Sequence, residues 1–185
     1  MTDFKLEHPD GVIMALDQMS VYLQASLRRV WSPMGQTPLV RTTPQRDSLK
    51  FYGALDVESG YEIALPLPKM DGEHTLHFLN HLLTCIPQRP ILLLWDRATW
   101  HKGIARQFVE AHERLDMMYF PPACPDLNPQ EHVWKKTREA VGHLRDYRRL
   151  SDLRKAFHHY LEQTSFQFNW IDKYFSGLSY TSVFT

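Results

Sequence analysis

Apolar positions run together, alternate and then recur at helical spacing as the chain is read from its start. Residues 12–16 form a short apolar run closing on Asp17, the pattern of a strand that leads to an acid, and residues 20–24 read as the return strand of a hairpin. Residues 28–46 carry Pro33, Gly35, Pro38 and Pro44 and read as a long loop, for which a functional role is one of few explanations. Residues 50–57 and 61–65 flank Glu58, Ser59 and Gly60 as a second hairpin. A helix is expected over 73–86, with Leu76, Leu79, Leu82, Leu83 and Ile86 on one face and His74, His77 and His81 on the other. Residues 91–95 are a continuous apolar run bounded by breakers, the signature of a strand buried on both faces, and Asp96 follows at its C-terminal end.

A helix over 102–115 would turn Ile104, Ala105, Phe108, Val109 and Leu115 inward, with His112 as a hydrogen-bonded core histidine in the middle of that face. A short buried strand at 117–120 and helices at 129–141 and 152–164 complete the pattern, the last with Leu153, Ala156, Phe157, Tyr160 and Leu161 inward and Ser151 as N-cap. This order predicts an α/β fold: a mixed sheet whose first three strands are antiparallel and whose later strands join in parallel through helical crossovers. Residues 1–165 are expected to form one domain. Residues 166–185, rich in aromatics from Phe166 and Phe168 through Trp170, Tyr174, Phe175, Tyr180 and Phe184, are expected to pack on it as an extension.

Composition changes this picture only in part. Five Trp and ten Phe in 185 residues suit a packed core rather than disorder. The formal net charge of +0 gives the whole molecule no bulk attraction for nucleic acid. Residues 135–155, however, hold eight Lys or Arg against three acids, either a phosphate-facing stripe or a solvated helix face laced with ion pairs. Cys85 and Cys124 stand in no metal or redox spacing and suggest a reducing, cytoplasmic setting. No apolar run approaches the about 18 residues needed to span a bilayer, and no N-terminal signal pattern is visible. His74, His77 and His81 could take a transition metal, but an exposed polar helix face explains them as well.

The candidate chemistry lies between residues 91 and 134. Asp96 at a strand's C-terminal end stands where open α/β sheets place their ligands, and Glu131 falls on the first turn of the helix that follows a proline-rich loop, with 34 residues between the two acids. Two carboxylates brought together in this way could hold a divalent metal. Each also has a local explanation. Asp96 could bond the backbone amides that follow its strand. With Asn128 as N-cap and Pro129 at the first helical position, Glu131 is the third residue of a capping-box-like pattern, and locally that reading is the stronger.

The segment ILLLWDRATWH (91–101) together with YFPPACPDLNPQEHVW (119–134) resembles the DDE transposases of the mariner-like superfamily, in their bacterial insertion-sequence branch. The Asn-Pro-x-Glu-x-x-Trp stretch and the Asp-to-Glu spacing carry the resemblance, and ALDQMS, RRVWSPMGQTP and FYGALDVESG extend it upstream over roughly residues 12–161. The resemblance implies a ribonuclease H-like fold and a catalytic trio of Asp17, Asp96 and Glu131. Asp17, taken alone, reads more readily as the start of a turn with Gln18, Met19 and Ser20. The trio would bind Mg²⁺, with Mn²⁺ as substitute, as two ions about 3.5–4 Å apart that activate the attacking and leaving oxygens of a phosphodiester.

His101 matches the family's histidine after the second acid, either positioning a phosphate or water or serving the structure. Arg28, Trp31, Lys102, Lys135 and Lys136 are the expected DNA contacts, and Trp134 the packing residue that fixes the helix of Glu131. Partners implied are double-stranded DNA, with thymine-adenine target sites, and a second copy in a homodimer. Two departures stand out: the family's Asp-Glu at the first acid is Asp17-Gln18 here, and the Asn common after the second acid is Arg97. The chain starts just before the first catalytic strand, so the family's N-terminal helix-turn-helix region is expected to be absent. The expectation is a transposase catalytic domain; the alternatives are a decayed DNA-binding or dimerisation module of the same fold and a host nuclease.

Overall fold

The computed structural model describes residues 1–23, 31–36, 39, 47–122, 124–142 and 147–168. Its strands are β1 (Val12–Tyr22), β2 (Ser48–Asp56), β3 (Glu62–Leu67), β4 (Ile91–Trp95) and β5 (Leu115–Tyr119). Its α-helices are α1 (Thr2–Glu7), α2 (Gly72–Cys85), α3 (Ile104–Ala111), α4 (Pro129–Thr137) and α5 (Leu150–Gln163). The described strands form one sheet in the order β3-β2-β1-β4-β5, with β1, β2 and β3 antiparallel and β4 and β5 parallel to β1. That is the mixed sheet expected from the pattern.

Alternation along β1 divides the core into two layers. Val12, Met14 and Leu16 face α2 and α3 together with Ile91, Leu93 and Trp95, while Met19 and Val21 face α4 and α5 with Phe51 and Leu55. Ile13, Ala15, Leu92 and Leu94 share a third cluster with Phe4 of α1, a short helix that the sequence pattern did not single out. The sheet is thus covered on both sides, as a central parallel strand such as β4, buried at all five positions, requires.

Several boundaries differ from expectation. β1 does not stop at Asp17 but continues to Tyr22, and residues 20–22 are part of it rather than a return strand. Its partner is β2, with Asp17 opposite Gly53, because Met19 and Val21 keep up the alternation and pay into the α4–α5 layer. The expected helix over 102–115 is only Ile104–Ala111; a 3₁₀ turn at Thr99–His101 precedes it and Leu115 opens β5. Ile104 is accordingly exposed, and His112 is the helix's C-cap residue, half-buried, with Nδ1 accepting from the Arg114 N–H at 3.2 Å. β5 is an edge strand in which buried Leu115 and half-buried Met117 and Tyr119 alternate with exposed residues, not a buried strand. α5 begins at Leu150, with Arg149 at the N-cap and no side-chain cap, so Ser151 lies inside the helix. The helix expected to 141 loses α-helical hydrogen bonding after Thr137 and continues as a π-helical turn over Arg138–Gly142.

Phe166 is buried against α5 and its N–H donates to the Gly60 carbonyl at 2.8 Å, while Phe168 packs near His132 and Lys136. The remaining aromatics of the expected extension lie outside the described residues. No described helix is long and apolar enough to cross a membrane.

Candidate active site

β1 and β4 run in parallel with Met14 opposite Leu93 and Ala15 opposite Leu94. The same offset carried two residues on sets Asp17 level with Asp96, just beyond the end of β4. Side chains level with one another on neighbouring strands share a face, and here it is the face covered by α4. Helix α4 brings Glu131. Its start is fixed by the Asn128 side chain, which accepts from the Gln130 N–H at 3.1 Å, and by Pro129 in the first turn. Asn128 therefore caps the helix without a reciprocal bond from Glu131, whose side chain is exposed.

Asp17 feels the charges of the other two carboxylates. Burial pushes the Asp17 carboxyl up to about 7, helped by the negative charges of Glu131 and Asp96 and opposed by bonds from the Gln18 backbone and the Trp134 indole. Trp134 is itself buried, and its Nε1–H donates to Asp17 Oδ2 at 3.2 Å. Asp96 goes the other way: the bond from His101 holds its carboxyl below the ordinary range, against partial burial and with help from the Ala98 N–H. His101 is fully buried and stacks on Trp95 with ring centroids 4.7 Å apart. Its Nδ1 lies 2.8 Å from Asp96 Oδ1, to which the Ala98 N–H also donates at 2.9 Å.

A second buried acid lies behind α4. Glu62 of β3 accepts from Gln130 Nε2 at 2.6 Å, and burial pushes its carboxyl well above the ordinary value, with the charge of Asp17 adding to the shift. Glu62, Gln130 and Trp134 all converge on Gly53, where a Cβ would collide with each of them. Neither Glu62 nor Gly53 stands out in the sequence. The sequence pattern at Trp134 suggests packing alone, although a buried indole needs an acceptor and therefore signals a polar neighbour.

The donor set fits a divalent cation of the magnesium type. All three groups are hard oxygen ligands, and Asp17, raised chiefly by burial and further by the charges of Glu131 and Asp96, is a carboxyl whose ionised form a nearby cation would favour. Among the described residues, no three of His, Cys, Asp and Glu close around a single position. A magnesium-type ion keeps several waters and needs only one or two protein carboxylates, so Asp17, Asp96 and Glu131 would hold it without forming an all-protein cage. His74 is engaged with Asp71 at 2.6 Å, and the three helical histidines form no such group either.

Lys102, Lys135 and Lys136 are exposed, with the Lys136 ammonium 4.7 Å over the Phe168 ring. Trp31 is fully exposed. Arg28 lies outside the described residues. Arg97 places its guanidinium 5.4 Å over the Tyr119 ring rather than on Asp96.

A family model described as DDE superfamily endonuclease matches residues 12–154 of the chain. Among curated proteins, the uncharacterised protein y4pE/y4sA of Sinorhizobium fredii is 28% identical over 89 residues, covering 48% of this chain and 64% of that protein. Among solved structures, a pre-cleavage Mos1 transpososome superposes with a TM-score of 0.65 at 14% identity, over 89% of this chain and 52% of its own. The catalytic domain of the Mos1 mariner transposase superposes with a TM-score of 0.56 at 13% identity, over 88% and 76%. The chain thus spans less than two thirds of the curated relative and about half of the transpososome protein. At such identities the structural likeness is one of fold: a mixed sheet flanked by helices, as in ribonuclease H-like transposase catalytic domains.

Proposed function

Because the chain belongs to the DDE endonuclease superfamily, we propose that it is the catalytic domain of a transposase, cutting DNA at an element's end and joining the freed 3′-hydroxyl to target DNA. The observation that carries the reading is Asp17: burial raises its carboxyl to about 7 and the charges of Glu131 and Asp96 add to the shift, so the acids of α4 and of the end of β4 lie within electrostatic reach of it. That is the requirement of phosphoryl transfer, where a bound divalent cation neutralises phosphate charge and acidifies the attacking water or hydroxyl.

Asp17, Asp96 and Glu131 would hold the cations, Mg²⁺ or Mn²⁺. Trp134 steadies Asp17 through Oδ2, and His101 with the Ala98 N–H steadies Asp96 through Oδ1. Arg97, Lys102, Lys135 and Lys136 would meet the phosphates of double-stranded DNA. The bacterial insertion-sequence branch, thymine-adenine targets and action as at least a dimer extend the same proposal.

The test is calorimetric titration of Mn²⁺ into the intact chain and into Asp96→Ala. Saturable binding that disappears in the variant is expected. Binding that survives Asp96→Ala, or metal-dependent strand cleavage that survives it, would overturn the reading. Salt-sensitive DNA binding with no metal response in either protein would instead favour the decayed binding module.

A further inference from the structure

Gln18, one of the two departures from the family's pattern, is joined to the second acid by a directed chain of hydrogen bonds. The Trp100 indole N–H donates to Gln18 Oε1 at 2.7 Å. An indole offers no acceptor, so the amide oxygen must face Trp100 and the amide NH₂ must face His101. Gln18 Nε2 lies 2.8 Å from His101 Nε2. An NH₂ group brings only hydrogens, so Nε2 of His101 accepts and the ring proton sits on Nδ1. From there it reaches Asp96 Oδ1 at 2.8 Å and the Asp96 carbonyl at 3.2 Å. Burial, the stack on Trp95 and an edge contact from Trp100 at 6.3 Å and 83° hold the ring plane. Oδ1 of Asp96 thereby receives two donors, His101 and the Ala98 N–H, and Oδ2 keeps its lone pairs open.

We propose that Gln18 is a positioning residue: by fixing the Nδ1–H tautomer of His101 it pins Asp96 through one oxygen and presents the other for metal binding. This rests on the transposase reading only in its last step, since the tautomer follows from the hydrogen bonds alone. A carboxylate at position 18 would still accept from Trp100 but would give His101 Nε2 no hydrogen. Gln18→Glu therefore reverses one link of the chain, and Gln18→Met, of similar shape, removes both.

Two-bond ¹H–¹⁵N correlation spectra of the histidine rings, with His101 assigned by its loss in His101→Asn, read the tautomer directly. The intact chain is expected to carry the proton on Nδ1, and Gln18→Glu to gain one on Nε2. An Nε2–H tautomer in the intact chain would overturn the proposal, whatever the variants do. Mn²⁺ titration supplies the second readout. Gln18→Met is expected to weaken binding about tenfold, the low end for loss of a residue that orients a metal ligand, with amide spectra as dispersed as those of the intact chain. Binding abolished by Asp96→Ala but unchanged by Gln18→Met sinks the role of Gln18 and leaves the transposase reading intact. No Mn²⁺ binding in the intact chain sinks both.

Discussion

With its carboxyl raised from 3.8 to about 7, Asp17 keeps its proton in the folded chain at pH values where the unfolded chain has lost it. Between about pH 4 and pH 7 the folded state therefore binds more protons at this site, and its contribution to stability falls as pH rises through that window. Asp17→Asn removes the dependence. We expect the variant to be roughly 2–4 kcal/mol more stable than the intact chain at pH 8 without metal, and about equal to it at pH 4. Urea unfolding at the two pH values measures this, and equal differences at both would mean that the carboxyl titrates normally. Saturating Mn²⁺ should reverse the advantage at pH 8, because a cation that binds only the folded state stabilises it. Arg97 supports a second expectation at this scale. Its cation rests over Tyr119 and is not among the groups that lower Asp96, so its charge remains available to a phosphate. Arg97→Ala should reduce the salt slope of DNA binding by about one, with Mn²⁺ affinity unchanged. Fluorescence anisotropy across a salt series gives the slope, and an unaltered slope would remove Arg97 from the DNA contacts.

Helix α4 is the element on which the geometry of the acids turns. Gln130 and Trp134, one helical turn apart, fasten it to the sheet through Glu62 and Asp17, and both rest on the bare backbone of Gly53. A Cβ at Gly53 can be accommodated only if buried Gln130, Glu62 or Trp134 moves, so Gly53→Ala should cost about 1–3 kcal/mol of stability by overpacking. It should also weaken Mn²⁺ binding, because the displaced helix carries both Glu131 and the donor to Asp17. Thermal melts and calorimetry on the same sample test the pair of effects; a stability loss with unchanged metal affinity would mean that α4 and its seat move together. This seat is also the part of the site least legible in the sequence. The run at 91–95 and the Asn128-Pro129 cap were legible because they are local: an unbroken apolar strand and a helix start each announce themselves within a few residues. Gly53 and Glu62 were not, since their meaning comes from a helix some 70 residues further on. β1 was cut short at Asp17 for a related reason, because a polar residue inside a strand looks like its end until the layer behind it is known. His101 was recognisable as a residue of interest, but its link to Gln18 joins two loop and strand positions that no periodicity connects.

For the molecule as a whole, zero net charge means that any hold on DNA must come from where the cations sit. α4 and α5 cover the same side of the sheet, and Lys135, Lys136, Arg148, Arg149, Arg154 and Lys155 are all exposed there. Arg154 and Lys155 also line a cavity of about 630 Å³ with His158 and His159, beside Leu49 at the start of β2. Asp17 and Asp96 lie on this same face of the sheet, which makes either basic group a candidate for the flanking phosphates of a duplex bound at the acids. The two groups can be separated. Lys135→Ala with Lys136→Ala removes charge beside Glu131, whereas Arg154→Ala with Lys155→Ala removes it from the far helix. If the duplex crosses the whole layer, each double variant should lower the salt slope of DNA binding by about two, and the four-fold variant by about four. If it touches only the neighbourhood of the acids, the α4 pair alone should register. A slope that neither pair changes would mean that the exposed lysines and arginines are a solvated face, and that phosphate contacts must be sought elsewhere on the chain.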